Sequence, residues 1–312
     1  MSSNTTIAIA GFTGKMARLI TSFLLKNHSD VKIHGICRSI DKVAANLRSH
    51  PNITLFHATS TDIPGLRRAL AGTSVCICAY LGDDTLMIDG QKTLIDACIA
   101  EDVPRYIASD WSLDFRGLEF GDHPSKDPMK YVQQYLDEKE SEGKIKGVHV
   151  LNGAFIQVVW ASFLGYVDTE KGMFRYFGTG DELLEMTTYE DAAAFTAEVA
   201  ADPNANGFLK FLGDRKSVKE LAQLYEKQYE IKPDVQRLGS LDDLHMKMQA
   251  TFKSQPKNHF AWMGMFYQYY LQNGSTWLGT VDNERYPAVQ PLTVEKFLKG
   301  HTKETLGKSA FF

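Results

Sequence analysis

A glycine-rich turn near the N-terminus constrains the fold of this chain most. The segment from Ile7 to Ala10 is apolar and runs into Gly11, Gly14 and Ala17, after which apolar residues recur at helical spacing. This order predicts a strand, a tight turn and a helix. Unpaired backbone N–H groups at the start of such a helix favour a pyrophosphate, and a glycine lets that group approach the backbone.

The spacing of this motif does not by itself establish a nucleotide site. It is G-x-x-G-x-x-A, whereas the dinucleotide pattern is G-x-G-x-x-G, and a glycine pair after a strand often marks only a turn. Its position favours the nucleotide interpretation, because it ends the first strand of a chain that then alternates strand and helix.

Strands and helices alternate through the first half of the chain. The predicted strands are Ile7–Ala10, Val31–Cys37, Ile53–His57, Ser74–Tyr80, Arg105–Ser109 and Val148–Leu151. The predicted helices begin after Gly14 and then cover residues 40–47, 63–70, 85–100 and 128–142. Parallel neighbours need right-handed crossovers, so this alternation predicts an α/β fold with a doubly wound parallel sheet of the Rossmann type.

The alternation ends near residue 155. We therefore expect a Rossmann domain over residues 1–155, with a segment near 187–213 returning to it, and a smaller C-terminal α+β substrate lobe over residues 156–312. Within that lobe, Met173–Met186 is typical of a β-hairpin with its turn at residues 178–181. Helices are predicted at 217–229, 242–251 and 262–271.

Composition excludes several classes of protein. With 312 residues, of which 44% are hydrophobic, the chain can bury a large core. Its net charge of -4 and lack of a basic run predict no nucleic-acid partner. The uncharged stretch over residues 147–167 contains His149, Asn152 and Gln157, so we expect no membrane span there.

The cysteines and histidines favour a reduced, metal-free protein. The four cysteines are Cys37, Cys76, Cys78 and Cys98, all within apolar or helical stretches, and buried reduced thiols are expected. The first six residues lack a basic region followed by an apolar core, which predicts a cytoplasmic location. Nine histidines are scattered without ligand spacing, so no metal site is expected.

The residue that ends the second strand predicts which nucleotide binds. Arg38 lies twenty-seven residues after Gly11, about where a dinucleotide fold meets the adenosine ribose. An acid there would repel a 2′-phosphate, whereas an arginine favours it, and Lys42 adds to the positive charge. The expected cofactor is therefore NADPH; a solvated surface arginine is the alternative.

Several motifs together resemble the NmrA-like family, an atypical short-chain dehydrogenase group that includes isoflavone reductases and phenylcoumaran benzylic ether reductases. The matching features are Gly11-Phe-Thr-Gly14-x-x-Ala17, Arg38, the Asp110–Pro124 segment, the lysine-bearing helix after it, Arg285-Tyr-Pro-Ala-Val289 and Thr293-Val-Glu-Lys-Phe-Leu298. The resemblance spans almost the whole chain. It implies an NADP-binding domain, a smaller lobe that forms a substrate cleft and, in the reductases, hydride transfer assisted by a lysine.

The resemblance implies a lysine as the catalytic acid. In the reductases this lysine follows a Ser-Glu-Phe-Gly stretch by about twenty residues; here Ser109-Asp-Trp-Ser112 occupies that place without the Phe-Gly, and Lys130 follows Ser109 by twenty-one residues. Lys126 is an alternative, and either lysine could instead be solvated. Tyr135 and Lys139 have the Tyr-x-x-x-Lys spacing of ordinary short-chain dehydrogenases, so Tyr135 is a second alternative.

The cofactor-binding residues are expected at the ends of the strands. The predicted set is Gly11, Phe12, Thr13, Gly14, Lys15, Met16, Arg38, Lys42, Tyr80, Ser109, Asn152, Gly153 and Phe155. A dense group of aromatic and methionine residues between Phe260 and Tyr270 either walls an apolar pocket or packs as core.

These observations predict an NADPH-dependent oxidoreductase that reduces an apolar, aromatic or polycyclic small molecule, with a role in secondary metabolism implied by the resemblance. Two alternatives stay open. One is a non-catalytic NADP-sensing regulator, and the other is an NADP(H)-bound isomerase or rearrangement enzyme. The sequence leaves the substrate and the oligomeric state open.

Overall fold

The computed structural model describes residues 5–308 and residue 310. The strands are β1 (Thr6–Ala10), β2 (Lys32–Cys37), β3 (Ile53–His57), β4 (Val75–Cys78), β5 (Arg105–Ile107), β6 (Lys146–Leu151), β7 (Ala154–Phe155), β8 (Val167–Asp168), β9 (Met173–Phe177), β10 (Leu183–Thr187), β11 (Gly207–Lys210), β12 (Asp214–Ser217) and β13 (Asp234–Gly239). The helices are α1 (Lys15–Asn27), α2 (Ala45–Arg48), α3 (Ile63–Leu70), α4 (Gln91–Ala100), α5 (Asp127–Ser141), α6 (Ile156–Val159), α7 (Tyr189–Ala201), α8 (Val218–Tyr229), α9 (Leu241–Ser254), α10 (His259–Gln272), α11 (Val294–Lys299) and α12 (Lys303–Leu306).

The chain forms two compact units that interleave along the sequence. Unit 1 contains the described residues of Met1–Trp111, Lys126–Leu151 and Ala192–Leu209; unit 2 contains those of Ser112–Ser125, Asn152–Asp191 and Lys210–Phe312. The sequence prediction placed its boundary after residue 155 and a returning segment near 187–213. Residues 1–4, 309, 311 and 312 of the predicted domains lie outside the described part of the chain.

Unit 1 is built on a seven-stranded sheet in the order β11-β6-β5-β4-β1-β2-β3. Neighbouring strands from β6 to β3 pair in parallel. The predicted doubly wound sheet is thus confirmed, and β11 is a seventh strand that the alternation did not predict.

The central strands of this sheet are apolar on both faces because both faces are covered. All four residues of β4 and those from Ile7 to Ala10 in β1 have no exposed surface. Helix α1 contributes Ala17, Ile20 and Leu24 to the core at helical spacing, while β3 at the sheet edge is only partly buried.

Unit 2 contains two three-stranded sheets, β12-β10-β7 and β13-β9-β8. The predicted hairpin over Met173–Met186 is wrong, because β9 and β10 belong to different sheets. The connection between them turns at Gly178 and Gly180, both with positive φ, and the Glu182 carboxylate accepts N–H bonds from Thr179 and Gly180 at 2.8 Å. The loop from Gly178 to Glu182 is held by its own hydrogen bonds, and β9 and β10 do not pair with each other.

No helix in the described chain is long and apolar enough to cross a lipid bilayer. The four cysteines are buried and free of disulfides. Burial raises the pKa of the Cys76 and Cys78 thiols, which keeps both protonated and unreactive.

Candidate functional site

The glycine turn is shaped by close approach to the neighbouring strands. The N–H groups of Gly11 and Phe12 both donate to the Ile36 carbonyl, at 3.0 and 3.1 Å, and Gly14 N–H donates to the Gly11 carbonyl at 2.9 Å. Gly11 has a φ of 81°, and a Cβ atom on it would lie 2.5 Å from the Ala79 carbonyl oxygen. Position 11 therefore requires glycine on two independent grounds.

The start of helix α1 has the geometry of an anion site. Gly14 is its N-cap, with extended backbone, and no side chain of the described residues caps it. Thr13, Lys15 and Met16 are partly exposed around this turn. Phe12 differs, because its ring is 1% exposed and packs where a Cβ on Gly35 would otherwise lie. Phe12 can thus contribute its backbone, while its side chain belongs to the core.

Two predicted residues from neighbouring strand ends meet in unit 1. Ser109 Oγ donates to the Tyr80 carbonyl at 2.7 Å, which joins the ends of β4 and β5. Burial raises the pKa of Tyr80, and the positive charge of Arg38 partly opposes that rise. Arg38 and Lys42 are both exposed after β2, where a phosphate could reach them.

The two candidate lysines lie at the start of helix α5 in different surroundings. Lys126 is only 2% exposed, with its Nζ 3.7 Å from Met129 Sδ. Lys130, one turn further on, is half-buried and keeps part of its surface in solvent.

The third candidate, Tyr135, faces a neighbouring helix. Its hydroxyl donates to Asp96 Oδ1 of α4 at 2.5 Å, and Lys139 Nζ lies 5.0 Å from its ring centre. Burial, and then the Asp96 bond, raise the pKa of Tyr135 to about 12. In short-chain dehydrogenase chemistry the lysine lowers this pKa; Lys139 does so here, but burial and Asp96 outweigh it.

In unit 2 the predicted residues Asn152 and Gly153 form a tight bend after β6. Their N–H groups donate to the Ser112 carbonyl at 2.9 and 3.1 Å. Gly153 has a φ of 66°, and a Cβ on it would clash with the Glu185 carbonyl. Asn152 is fully buried, and its Oδ1 has no hydrogen-bond partner within the described residues. The third predicted residue, Phe155, stacks on Tyr189 with ring centres 3.8 Å apart.

A buried histidine–aspartate pair in unit 1 was not predicted. His149 Nδ1 lies 2.6 Å from Asp110 Oδ2, and both side chains are at least 97% buried. The His149 ring stacks on Phe208 of β11 at 4.3 Å. Asp110 lies between Ser109 and Trp111, a residue with a φ of 34°, so the pair supports a strained turn after β5. A histidine inside a buried strand needs a polar partner, so His149 in β6 was the sequence feature that could have indicated this pair.

The predicted pocket aromatics of α10 divide between core and surface. Trp262 and Phe266 are buried and pack edge-on against Phe252 of α9, whereas Phe260 is 88% exposed. A surface cleft of about 450 Å³, lined by residues of α3 and Glu101, contains none of the candidate residues. Over residues 5–308 and 310, no three His, Cys, Asp or Glu side chains are grouped to hold a metal ion.

The parallel sheet with a glycine turn at the end of β1 defines a Rossmann-type α/β protein. The chain belongs to the NmrA-like family, whose model matches residues 3–298. A curated relative, an NmrA-like family domain-containing oxidoreductase of Gibberella moniliformis, is 26% identical over 143 residues. That match covers 45% of this chain and 46% of the relative, so it spans about half the length of each.

Solved structures share the fold along nearly the whole chain. An isoflavone reductase superimposes with a TM-score of 0.78 at 17% identity, covering 96% of this chain and 99% of its own. The protein AtPrR2, solved with NADP+ and (+)-pinoresinol, has a TM-score of 0.77 at 19% identity and covers 97% of this chain and 100% of its own. At these identities the likeness establishes the fold.

Proposed function

We propose that this protein binds NADPH and reduces an apolar aromatic small molecule. The observation that carries the proposal is the glycine turn at the end of β1, which leaves the start of α1 without a side-chain cap and Gly11 without space for a Cβ atom. The curated relative is an oxidoreductase, and AtPrR2 was solved with NADP+ and (+)-pinoresinol, which supports NADPH and a small-molecule substrate.

The residues present fit the cofactor. The backbone of Gly11–Gly14 and the start of α1 would hold the pyrophosphate through N–H groups. Arg38, with Lys42 beside it, would hold the 2′-phosphate, since both are exposed at the end of β2.

Lys130 is the proposed acid. NADPH supplies the hydride when bound, and the chain must then supply a proton to the substrate oxygen. Lys130 is half-buried, whereas Lys126 is 2% exposed and the Tyr135 hydroxyl is engaged by Asp96. Lys126 stays the alternative. The role in secondary metabolism and the cytoplasmic location also stay predictions.

The cofactor preference is tested by titrating NADPH and NADH into the wild type and Arg38→Glu by calorimetry. One charge-assisted contact of about 1.5–3 kcal/mol gives roughly a ten- to hundredfold preference for NADPH. We expect Arg38→Glu to remove that preference while NADH affinity is kept. Equal affinities of the wild type for both nucleotides would refute the assignment of Arg38.

The catalytic assignment is tested with Lys130→Ala, measuring NADPH oxidation with a panel of aromatic carbonyl compounds and NADPH binding separately. We expect turnover to be lost and binding to be kept, with Tyr135→Phe as a control that changes neither. A wild type that binds NADPH but oxidises it with no compound would instead indicate the NADP-sensing regulator.

A further inference from the structure

The helices α9 and α10 of unit 2, with the loop between them, present an exposed and positively charged surface. The 38 residues from Leu244 to Val281 hold three lysines and no aspartate or glutamate, in a chain whose net charge is -4. Lys247 and Lys253 lie on α9, Lys257 lies in the loop, and all three are exposed. None of their ammonium groups has an ion-pair partner among the described residues. Their positive charge is therefore available to a partner.

The acidic residues of α9 lie at the other end of the helix. Asp242 and Asp243 occupy its first turn, where the Asp243 carboxylate accepts hydrogen bonds from the Ser240 N–H at 2.7 Å and the Ser240 hydroxyl at 2.8 Å. Lys253 is about 15 Å further along the helix axis, at about 1.5 Å per residue. This separation exceeds the Debye length of about 8 Å at physiological ionic strength. The two aspartates thus cap the helix and do not neutralise the charge at its C-terminal end.

Two large apolar side chains are exposed beside these lysines. Phe260, the second residue of α10, is 88% exposed, and Met246 of α9 is 63% exposed. Met246, Ala250 and Lys253 follow one another at steps of four and three residues, so they share one face of α9. A single exposed apolar residue is ordinary on a protein surface. Lysines combined with an exposed phenylalanine and methionine are instead typical of a surface that contacts a membrane interface.

The loop that leads to Phe260 has a defined conformation. Trp262 is 3% exposed, its Nε1 donates to the Pro256 carbonyl at 3.2 Å, and its ring packs edge-on against Phe252 at 4.9 Å. Within the loop, the Asn258 N–H donates to the carbonyl of residue 255 at 3.0 Å. The exposed phenylalanine is therefore presented by an ordered turn, and little further ordering is needed when it binds.

We propose that this α9–α10 surface, defined by Met246, Lys247, Lys253, Lys257 and Phe260, docks the protein reversibly on an anionic lipid membrane. The lysines lie against the anionic headgroups, and Phe260 enters the boundary between the headgroups and the acyl chains. The protein lies on the membrane and does not cross it. This docking is independent of NADPH and does not rest on the proposed reductase function.

The composition of the surface favours a membrane over a folded protein partner. Protein interfaces of standard size bury about 800 Å² on each partner, and they are depleted in lysine. All three lysines lie between Met246 and Phe260 in the chain, and these two apolar side chains alone offer far less surface than such an interface needs. A membrane needs no continuous apolar core, because each lysine is attracted by the surface potential and each apolar side chain inserts separately.

The test is sedimentation of the full chain with vesicles of phosphatidylcholine, either pure or with about one-third phosphatidylserine, at about 0.1 M salt. Each lysine near an anionic surface strengthens binding roughly fivefold, so we expect the wild type to prefer the phosphatidylserine vesicles by roughly a hundredfold. The triple variant Lys247→Gln, Lys253→Gln, Lys257→Gln should lose that preference. Phe260→Ser should bind the same vesicles roughly tenfold more weakly, because apolar burial is lost.

The matched control replaces Lys144, Lys171 and Lys227 with glutamine. These lysines are also exposed, but each pairs with a carboxylate, at 2.6, 3.4 and 3.0 Å respectively. The control changes the net charge by the same amount and should bind the vesicles as the wild type does. Thermal melts verify that both triple variants are folded. Equal losses of binding in the two triple variants would overturn the proposal, because total charge and not this surface would then decide binding.

Insertion of Phe260 has a separate readout. The four native cysteines are buried, so Phe260→Cys can be labelled selectively with an environment-sensitive fluorophore. Phosphatidylserine vesicles should shift its emission to the blue, and pure phosphatidylcholine vesicles should shift it far less. Absence of wild-type binding to phosphatidylserine vesicles, or an unchanged emission on binding, would refute the proposal. Binding to poly-L-glutamate but to neither kind of vesicle would also refute it and would assign the surface to an acidic protein.

Discussion

Replacing His149 with alanine is expected to destabilise unit 1 by about 4–6 kcal/mol. Removing one partner of a buried ionisable pair costs about 3–5 kcal/mol, because the other group is left buried without compensation. Loss of the stacked contact with Phe208 adds about 0.5–1.5 kcal/mol. Asp110 Oδ1 already has no hydrogen-bond partner among the described residues. Loss of His149 would leave the second carboxylate oxygen without its partner too, which supports a loss of about 6 kcal/mol rather than about 4 kcal/mol.

The assay is urea denaturation monitored by tryptophan fluorescence, with Trp111 as the local reporter beside Asp110. Asp110→Asn keeps a hydrogen bond to His149 and should cost only about 1–2 kcal/mol. The matched control is His28→Ala, because His28 is one-quarter exposed and its Glu198 partner lies at 3.2 Å on the surface. That variant should lose less than about 1 kcal/mol. If His149→Ala and His28→Ala lose equal stability, the buried pair is not what holds this turn.

The loss of stability in the His149→Ala variant could leave little folded protein, since domains are stable by only about 5–15 kcal/mol. The double variant Asp110→Ala with His149→Ala then provides the second measurement. Because neither polar partner is left buried without the other, we expect it to be more stable than the sum of the two single changes predicts. Strict additivity would contradict a direct interaction.

Two further predictions concern the glycine turn and the loop between β9 and β10. Gly11→Ala should abolish NADPH binding and lower the free energy of unfolding by about 2 kcal/mol or more, because the positive φ and the Ala79 carbonyl both oppose a Cβ atom. Gly14→Ala should fold nearly normally, because Gly14 has a φ of -72°. Calorimetry compares NADPH binding by the two variants, and thermal melts compare their stability. For Glu182, burial opposes ionisation, but N–H bonds from Thr179 and the adjacent backbone lower its pKa below the ordinary value. The stability it contributes is present above pH about 4.3 and is lost as pH falls through the lowered pKa, so Glu182→Gln should flatten the acid limb of a stability-against-pH curve.

The elements that could be predicted from the sequence are those that residues close together in the chain specify. Strand β1, the turn at Gly11 and helix α1 are specified by consecutive residues, because a run of apolar residues, a glycine and a 3.6-residue period each act within a few positions. The central strands were recognisable for the same reason, since burial on both faces makes them apolar without interruption.

Pairing between distant residues was not predictable from pattern. Asp110 and His149 are 39 positions apart, so no local period joins them. Strands β9 and β10 have the composition of a hairpin, yet their partners β13 and β12 come from later in the chain. Tyr189 of α7 and its stacking partner Phe155 of β7 lie on different elements, so no local period joins them either. Such features depend on the assembled fold.

A buried side chain of β5 anchors the segment of residues 192–209 that returns to unit 1. Arg105 of β5 is 5% exposed, and its guanidinium donates to the carbonyls of Val199, Ala200 and Asp202 at 3.1, 2.8 and 2.7 Å. These carbonyls end helix α7, where a cation also opposes the negative end of the helix dipole. One planar guanidinium thus satisfies three acceptors that an ammonium could not reach together.

This arrangement predicts a local effect of Arg105→Lys. Amide hydrogen exchange should accelerate at the C-terminal end of α7 and through β11, because their anchoring bonds are lost, while β1 and β4 should exchange as slowly as in the wild type. The control is Arg67→Lys, since Arg67 pairs with Glu101 on the surface and is half-exposed. Unchanged exchange in residues 199–209 would mean that the apolar contacts of α7 alone hold the returning segment. Faster exchange confined to it would show that a buried cation, which no periodicity reveals, anchors the segment that completes the sheet.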